Sequence, residues 1–322
     1  MELVAVDIGG THARFAIADV EHGRVTSLGD TTTLRTDTHA SLQTAWEAFA
    51  SRLGRSLPRA TAIAVACPVM GDVLKLTNNP WIVRPTQIGE RLGVDRVTLI
   101  NDLGAVAHAV VNVEPAHLRH LCGPDLPLPE EGVITVLGPG TGLGVAHVLR
   151  HHGRNHVIEC EGGHIDYAPL DSIEDAILAR LRQRYRRVSV ERIVSGPGLV
   201  NIHEALAAIE GRSVEVMDDK ALWAAAISGE DGLAAVALDR FCMTLGSVAG
   251  DMALAQGAKA VIIAGGLGRR LVDVLPRSGF ASRFVAKGRF ESMMAAIPVK
   301  VITHPQPGLF GAAAAFAEEH SR

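Results

Sequence analysis

The stretch Val133–Gly144, VITVLGPGTGLG, decides how the chain is read. Val133 to Leu137 is an apolar β-type run. It leads straight into Gly138-Pro139-Gly140-Thr141-Gly142-Leu143-Gly144, with four glycines in seven residues. A hairpin turn needs fewer. Glycines at this density suit a backbone that must come close to a phosphate and point N–H groups at it, and Thr141 adds a hydroxyl. The loop is not a dinucleotide fingerprint, because Leu143 stands where G-x-G-x-x-G requires glycine. It is not a Walker A loop, because no Gly-Lys-Ser/Thr follows. Val145–Leu149 and His156–Ile158 read as the next strands.

The same order occurs at the start of the chain. Leu3–Val6 is a short apolar strand ending at Asp7-Ile8-Gly9-Gly10-Thr11. Arg14–Val20 alternates and turns at Glu21-His22-Gly23, and Gly23–Leu34 supplies a third strand. Both halves thus run strand, glycine loop, hairpin, and then alternate helix with strand. This is a weak internal duplication and favours an α/β fold with covered sheets. Ser41–Leu53 has helical spacing, with Leu42, Ala45, Trp46, Phe49 and Leu53 on one face. Thr61–Ala66 is a strand closed by Cys67-Pro68. A polar turn at 77–80 and a short helix at Pro85–Leu92 follow. Val94–Ile100 is a strand and Ala105–Val111 a helix. The Pro-rich stretch 123–129 is a connection. Helices are predicted at 172–186, 198–210, 233–256, 267–275 and 311–318, with strands at 260–264 and 299–303.

Polar side chains punctuate this apolar pattern. In LINDLGA (99–105), Asn101 and Asp102 stand where a buried strand becomes a buried helix. Glu161-Gly162-Gly163-His164 reads as extended or turned backbone. Its acid and imidazole suit either the vicinal hydroxyls of a small polar ligand or a solvated surface turn. Ser189-Val190-Glu191 looks like a helix start, where Glu191 would serve the helix N-terminus. Gly265-Gly266 after Ala260–Ala264 suits either a flat ligand lying on the backbone or close helix–strand packing.

The chain has 322 residues, 48% apolar and 20% charged, with a formal net charge of −4. These values describe a soluble globular protein and argue against a nucleic-acid binder. No signal peptide is predicted at MELVAVDIGG, and no run approaches 18 uninterrupted apolar residues, so no membrane partner is expected. The cysteines (Cys67, Cys122, Cys160, Cys242) are scattered and read as reduced thiols.

In this order, DIGGTHAR, AVACPVMGD, LINDLGA, LGPGTGLGVA, EGGHIDYAP, VERIVSGPGLVN, IIAGGLG and PGLFGAAAA resemble the bacterial ATP-dependent glucokinase family of the actin/hexokinase/Hsp70-like superfamily. The resemblance implies a two-lobed actin/hexokinase-like (ribonuclease H-like) α/β fold with a duplicated core. A small domain of 1–108 plus 301–322 and a large domain of 109–300 would hold sugar and ATP in a cleft. The implied reaction moves the γ-phosphoryl of ATP to the 6-hydroxyl of glucose with Mg²⁺. Asp102 would be the general base. Asn101, Glu161, His164 and Glu191 would bind sugar hydroxyls, as would Asp102. Asp7, Gly9, Gly10 and Thr11, with Gly138, Gly140 and Thr141, match the phosphate loops, and Gly265 with Gly266 matches the adenosine loop. Asp7 would reach the metal through water. A cytoplasmic homodimer is implied. His12 departs from the family's usual Asn, and Glu159-Cys160 is an unusual lead into Glu161. A kinase for another hexose, or a non-catalytic sugar sensor on the same fold, is the alternative.

Overall fold

The computed structural model describes residues 1–76, 78–213 and 218–320, so residue 77 of the predicted polar turn lies outside the described residues. In chain order the elements are β1 (Glu2–Ile8), β2 (His12–Glu21), β3 (Arg24–Leu28), β4 (Thr32–Arg35), α1 (Leu42–Leu53), β5 (Ala60–Val65), β6 (Leu74–Lys75), β7 (Ile82–Val83), α2 (Ile88–Leu92), β8 (Arg96–Asn101), α3 (Asp102–Asn112), β9 (Leu118–Cys122), β10 (Gly132–Pro139), β11 (Leu143–His151), β12 (Arg154–Cys160), α4 (Ser172–Arg184), α5 (Gly196–Ile209), α6 (Asp219–Ser228), α7 (Gly232–Gln256), β13 (Ala258–Ile263), α8 (Gly265–Arg270), α9 (Phe280–Val285), α10 (Glu291–Ala295), β14 (Val299–Ile302) and α11 (Pro307–His320).

These elements form two compact units, Met1–Pro115 with His304–Arg322, and Ala116–Thr303. Divisions at 108/109 and 300/301 would cut α3 and β14. The late strand does not return to the first unit. It pairs in parallel with β13 through Val261–Val299 and Ile263–Val301, and only α11 goes back.

The two sheets share one strand order: β3-β2-β1-β5-β8 in the first unit and β12-β11-β10-β13-β14 in the second. In each, the first strand has an antiparallel hairpin on one side and two parallel strands on the other. Each hairpin turns on a His-Gly pair in the left-handed region, His22 (φ 49°) with Gly23 and His152 (φ 50°) with Gly153. That conformation matches the twist of the flanking strands. The duplication, slight in sequence, is plain in topology. The predicted third strand at 23–34 is two strands, β3 and β4, which pair with opposite ends of β2. Strand β9, unpredicted, lies at a sheet edge with only Leu121 buried, so it carries little hydrophobic signal.

Strand alternation builds the first core. Val4, Val6 and Ile8 face Trp46 and Phe49, while Leu3 and Ala5 face Leu309 and Phe316. β5 is buried along its whole length, as expected for an inner parallel strand covered on both faces. Ser41 caps α1 through a reciprocal bond pair with Thr44, and Gly54 ends the helix in the left-handed region. α11 packs on α3 through Gly311, whose Cα lies against the Ala105 carbonyl. In the second unit α7 is long and apolar enough to cross a membrane by length and composition, yet Phe241, Leu245 and Ala249 are buried in the core. Gly246 and Gly250 of α7 sit against the Phe280 and Phe284 carbonyls of α9.

A charged knot ties α4, α7 and α9. Asp171 caps α4, accepting from the Glu174 N–H at 2.9 Å, and also accepts from Arg240 and Arg283. Glu174, 3% exposed, accepts from Arg283 at 2.8 Å. Burial pushes the Asp171 carboxyl up, but the Glu174 N–H and the two guanidiniums outweigh it and hold it below the usual 3.8.

Two stability measurements follow from this packing. Gly311→Ala would drive a methyl into the Ala105 carbonyl, and a loss of about 1–3 kcal/mol is expected as a lowered Tm. Asp171→Asn keeps the cap oxygen and removes the charge. Because the folded-state pKa is lowered, the charge stabilises the fold above the ordinary Asp value and stops doing so as pH falls through the lower folded value. Urea unfolding at pH 7 should show Asp171→Asn less stable by about 1–3 kcal/mol, with the gap narrowing as pH falls below the ordinary Asp value.

Candidate active site

In the first unit, β1, β5 and β8 end in register, Ile8 beside Val65 and Val65 beside Asn101. The turn after β1 and the start of α3 therefore emerge at one sheet edge, the carboxyl edge where α/β sheets bind ligands. The turn Gly9-Gly10-Thr11 is closed by the Gly9 N–H donating to the His12 carbonyl at 2.9 Å. Its carbonyls are tied back. Asn79 Nδ2 donates to Gly9, Thr36 Oγ1 to Gly10, and the Thr36 N–H to Thr11, at 2.9, 3.0 and 3.1 Å. The Gly10 and Thr11 amides donate to no protein acceptor among the described residues. The anchors Thr36 and Asn79 escaped the sequence reading, which saw only a turn near Asn79. His12 meets its neighbour, with Nδ1 2.9 Å from the Thr11 hydroxyl.

Asp7, 18% exposed, accepts from Arg14 at 3.1 Å. Behind it lies Gly308 of α11, where a Cβ would stand 2.9 Å from the carboxylate. Burial pushes the Asp7 carboxyl up and outweighs the pull of Arg14. Asn101 is the N-cap of α3. Its Oδ1 accepts from Leu103 and Gly104 N–H at 2.9 and 3.2 Å, and its Nδ2 donates to the Cys67 carbonyl at 3.3 Å. The amide expected to orient a hydroxyl is therefore also the cap that starts the helix. Asp102 is the first helical residue and accepts from the Leu103 N–H at 2.8 Å. A helix N-terminus favours its anion. Burial, and then the Asp102 charge, push the Cys67 thiol up.

In the second unit, the parallel pairings of β13 with β10 and β14 both run to Ile263, opposite Leu137 and Val301. The predicted seven-residue loop is shorter than expected. Gly138 pairs with Gly144 and Pro139 with Leu143, so only Gly140, Thr141 and Gly142 form the turn. The antiparallel ladder runs on through the outer glycines. α8 begins at Gly265, two residues before the predicted helix. Gly265 (φ 74°) packs on the end of β10, where a Cβ would stand 2.6 Å from the Pro139 carbonyl. A Cβ at Gly266 would meet nothing within 4 Å.

Gly162–His164 forms a 3-10 turn rather than extended backbone. Gly162 and Gly163 let that turn lie flat on Val145 and Leu143 of β11. Glu161 and His164 stand side by side, Oε2 to Nε2 3.8 Å, each more than half exposed. Arg187 supports them from behind, donating to the His164 carbonyl and to Asp166. Glu191 lies in the 3-10 turn Val190–Arg192, where Ser189 makes no side-chain cap. Ser189 does stand at the start of this short 3-10 helix, but the serine whose side chain caps an α-helix here is Ser195, at α5. The Glu191 Oε2 accepts from the Leu143 N–H at 2.9 Å, and the Gly196 N–H donates to the Gly140 carbonyl at 2.7 Å. The second unit thus gathers Gly138, Gly140, Thr141, Gly265, Gly266, Glu161, His164 and Glu191. The first gathers Asp7, Gly9, Gly10, Thr11, Asn101 and Asp102.

Residues 3–319 match the family model described as Glucokinase. The chain is 65% identical over 321 residues to the glucokinase of Zymomonas mobilis, covering 100% of this chain and 99% of that one. A crystal structure of glucokinase from an Antarctic psychrotroph superposes with a TM-score of 0.86 at 31% identity, with 98% of each chain covered. The fold is shared with the ROK family glucokinase of Streptomyces griseus, solved with glucose and AMPPNP, at a TM-score of 0.63 and 20% identity over 98% of this chain and 99% of that one. With the family pattern matched from end to end, the chain belongs to the glucokinase family.

Proposed function

We propose that this chain transfers the γ-phosphoryl group of ATP to the 6-hydroxyl of glucose, with Asp102 as the general base. The observation that carries the reading is the shared sheet edge in the first unit. There a carboxylate at a helix N-terminus accompanies a turn whose carbonyls are tied back and whose Gly10 and Thr11 amides are left for a ligand. Such amides suit phosphate oxygens. Asp102 takes the 6-hydroxyl proton as that oxygen bonds to phosphorus. The bond to the bridging oxygen breaks and ADP leaves with its electrons. Phosphoryl transfer asks for positioning and charge neutralisation more than for covalent chemistry.

Glu161 and Glu191 accept from sugar hydroxyls, His164 donates or accepts beside them, and Asn101 Nδ2 contributes without adding charge. The Gly138–Thr141 turn takes phosphate oxygens, and the open face at Gly266 lets a flat adenosine approach the backbone. The residues fit a hard divalent cation such as Mg²⁺. Asp7 is an oxygen donor whose burial is not fully offset by Arg14, and it would hold the ion through water. Bound there, the ion neutralises phosphate charge. The reading includes a homodimeric, cytoplasmic enzyme at the entry to glycolysis, as is common in the family.

A coupled assay of ADP release with MgATP and a panel of hexoses tests the assignment. Asp102→Asn should lower kcat by roughly 10²–10⁴ with little change in sugar affinity. A near-normal kcat in that variant, or glucose binding without turnover in the parent protein, would overturn it. Asp7→Asn should raise the KM for MgATP. Its Tm should equal or exceed that of the parent, because the substitution removes a poorly compensated buried charge.

A further inference from the structure

We propose that Glu191 is a positioning residue that couples the two substrates, holding the nucleotide-phosphate turn with one carboxylate oxygen while the other receives a sugar hydroxyl. This rests on the sugar-kinase reading of the site. The two oxygens of this carboxylate have different surroundings. Oε2 accepts from the Leu143 N–H at 2.9 Å, just where the Gly140–Gly142 turn re-enters the sheet. Oε1 has no protein partner among the described residues. Leu143 is 4% exposed, so its amide would otherwise lack an acceptor in a nearly dry setting.

The turn has few other ties. The Gly140 N–H donates to the Gly142 carbonyl at 2.8 Å, and the Gly140 carbonyl accepts from Gly196. The first spans the turn from Gly140 to Gly142 and the second holds Gly140, while Glu191 holds the Leu143 amide at the exit. Gly142 is shaped to this contact. A Cβ there would overlap Glu191 Oε2, while the backbone φ of Gly142 is one that any residue adopts. Glycine at 142 therefore makes room for the carboxylate rather than satisfying a conformational need. Glu191 also does not act as a cap for its own turn.

The consequence is thermodynamic. A sugar hydroxyl donating to Oε1 fixes the carboxylate, and the fixed carboxylate holds the Leu143 amide and with it the turn. Nucleotide then meets an ordered phosphate receptor and avoids the ordering cost. Coupling of this kind is reciprocal, so nucleotide strengthens sugar binding by the same factor.

The test uses the full-length protein and Glu191→Gln, Glu191→Ala, Gly142→Ala and the Gly142→Ala/Glu191→Ala double variant. AMPPNP is titrated calorimetrically with and without glucose, and amide deuterium exchange is followed across 140–146. Gln keeps an acceptor for Leu143, so Glu191→Gln should weaken sugar yet hold AMPPNP affinity within about twofold of the parent. Glu191→Ala and Gly142→Ala should each weaken AMPPNP by about 3- to 30-fold, the scale of one lost hydrogen bond. Both should abolish the enhancement by glucose and speed exchange at Leu143. The double variant should bind AMPPNP as Glu191→Ala alone does, because the added methyl then has nothing to displace.

Additive losses, a Glu191→Ala variant weakened for sugar alone, or unchanged exchange at Leu143 in Glu191→Ala would overturn the proposal. The outcome is separable from the kinase reading. If the parent releases no ADP with glucose, protection from exchange at Leu143, lost in Glu191→Ala and kept in Glu191→Gln, still decides whether the latch exists.

Discussion

The in-register parallel pairing that ends at Ile8, Val65 and Asn101 in the first unit, and at Leu137, Ile263 and Val301 in the second, is the constraint from which the rest follows. Parallel strands that stop together leave their next residues at one edge. There the chain must turn, start a helix and satisfy the first helical amides. Asn101 does this with its side-chain oxygen, and Asp102 sits where the helix N-terminus favours an anion. Polar chemistry is delivered to the edge because the sheet geometry leaves unpaired backbone groups there.

Glycine sets how closely these elements approach. Gly311 brings α11 onto α3, and Gly308 of the same helix backs the Asp7 carboxylate. In the second unit, Gly265 lies on Pro139, Gly163 on Leu143, and Gly142 against Glu191. A chain with alanine at these points would need each pair of segments farther apart. The glycines that look like nucleotide contacts in the sequence are therefore partly packing residues. Gly138 belongs to a ladder, Gly265 to a helix–strand contact, and Gly140 and Gly266 face open space.

Much of the fold was legible because its signals are local. Alternating or continuous apolar runs mark the strands, and Leu42, Ala45, Trp46 and Phe49 at helical spacing mark α1. The repeated strand, glycine loop and hairpin announced two related α/β halves, which the matching strand orders display. The errors came where local signal is weak or ambiguous. β9 buries almost nothing, and the strand predicted at 23–34 breaks in two because β2 offers two separate pairing sites.

By itself the sequence determined the fold class, the family pattern and the identity of the polar residues at the strand ends, since these depend on residue type and short spacing. Tertiary structure decided which of those residues meet. Glu191 lies 48 positions from Leu143, and Asn79 lies 70 from Gly9. No local pattern marks either contact, because each forms only when distant segments are packed onto one sheet. The same holds for Thr36 behind Gly10 and Gly308 behind Asp7. A side chain's chemistry is written in its own codon, whereas the partner that gives it a task is set by long-range packing.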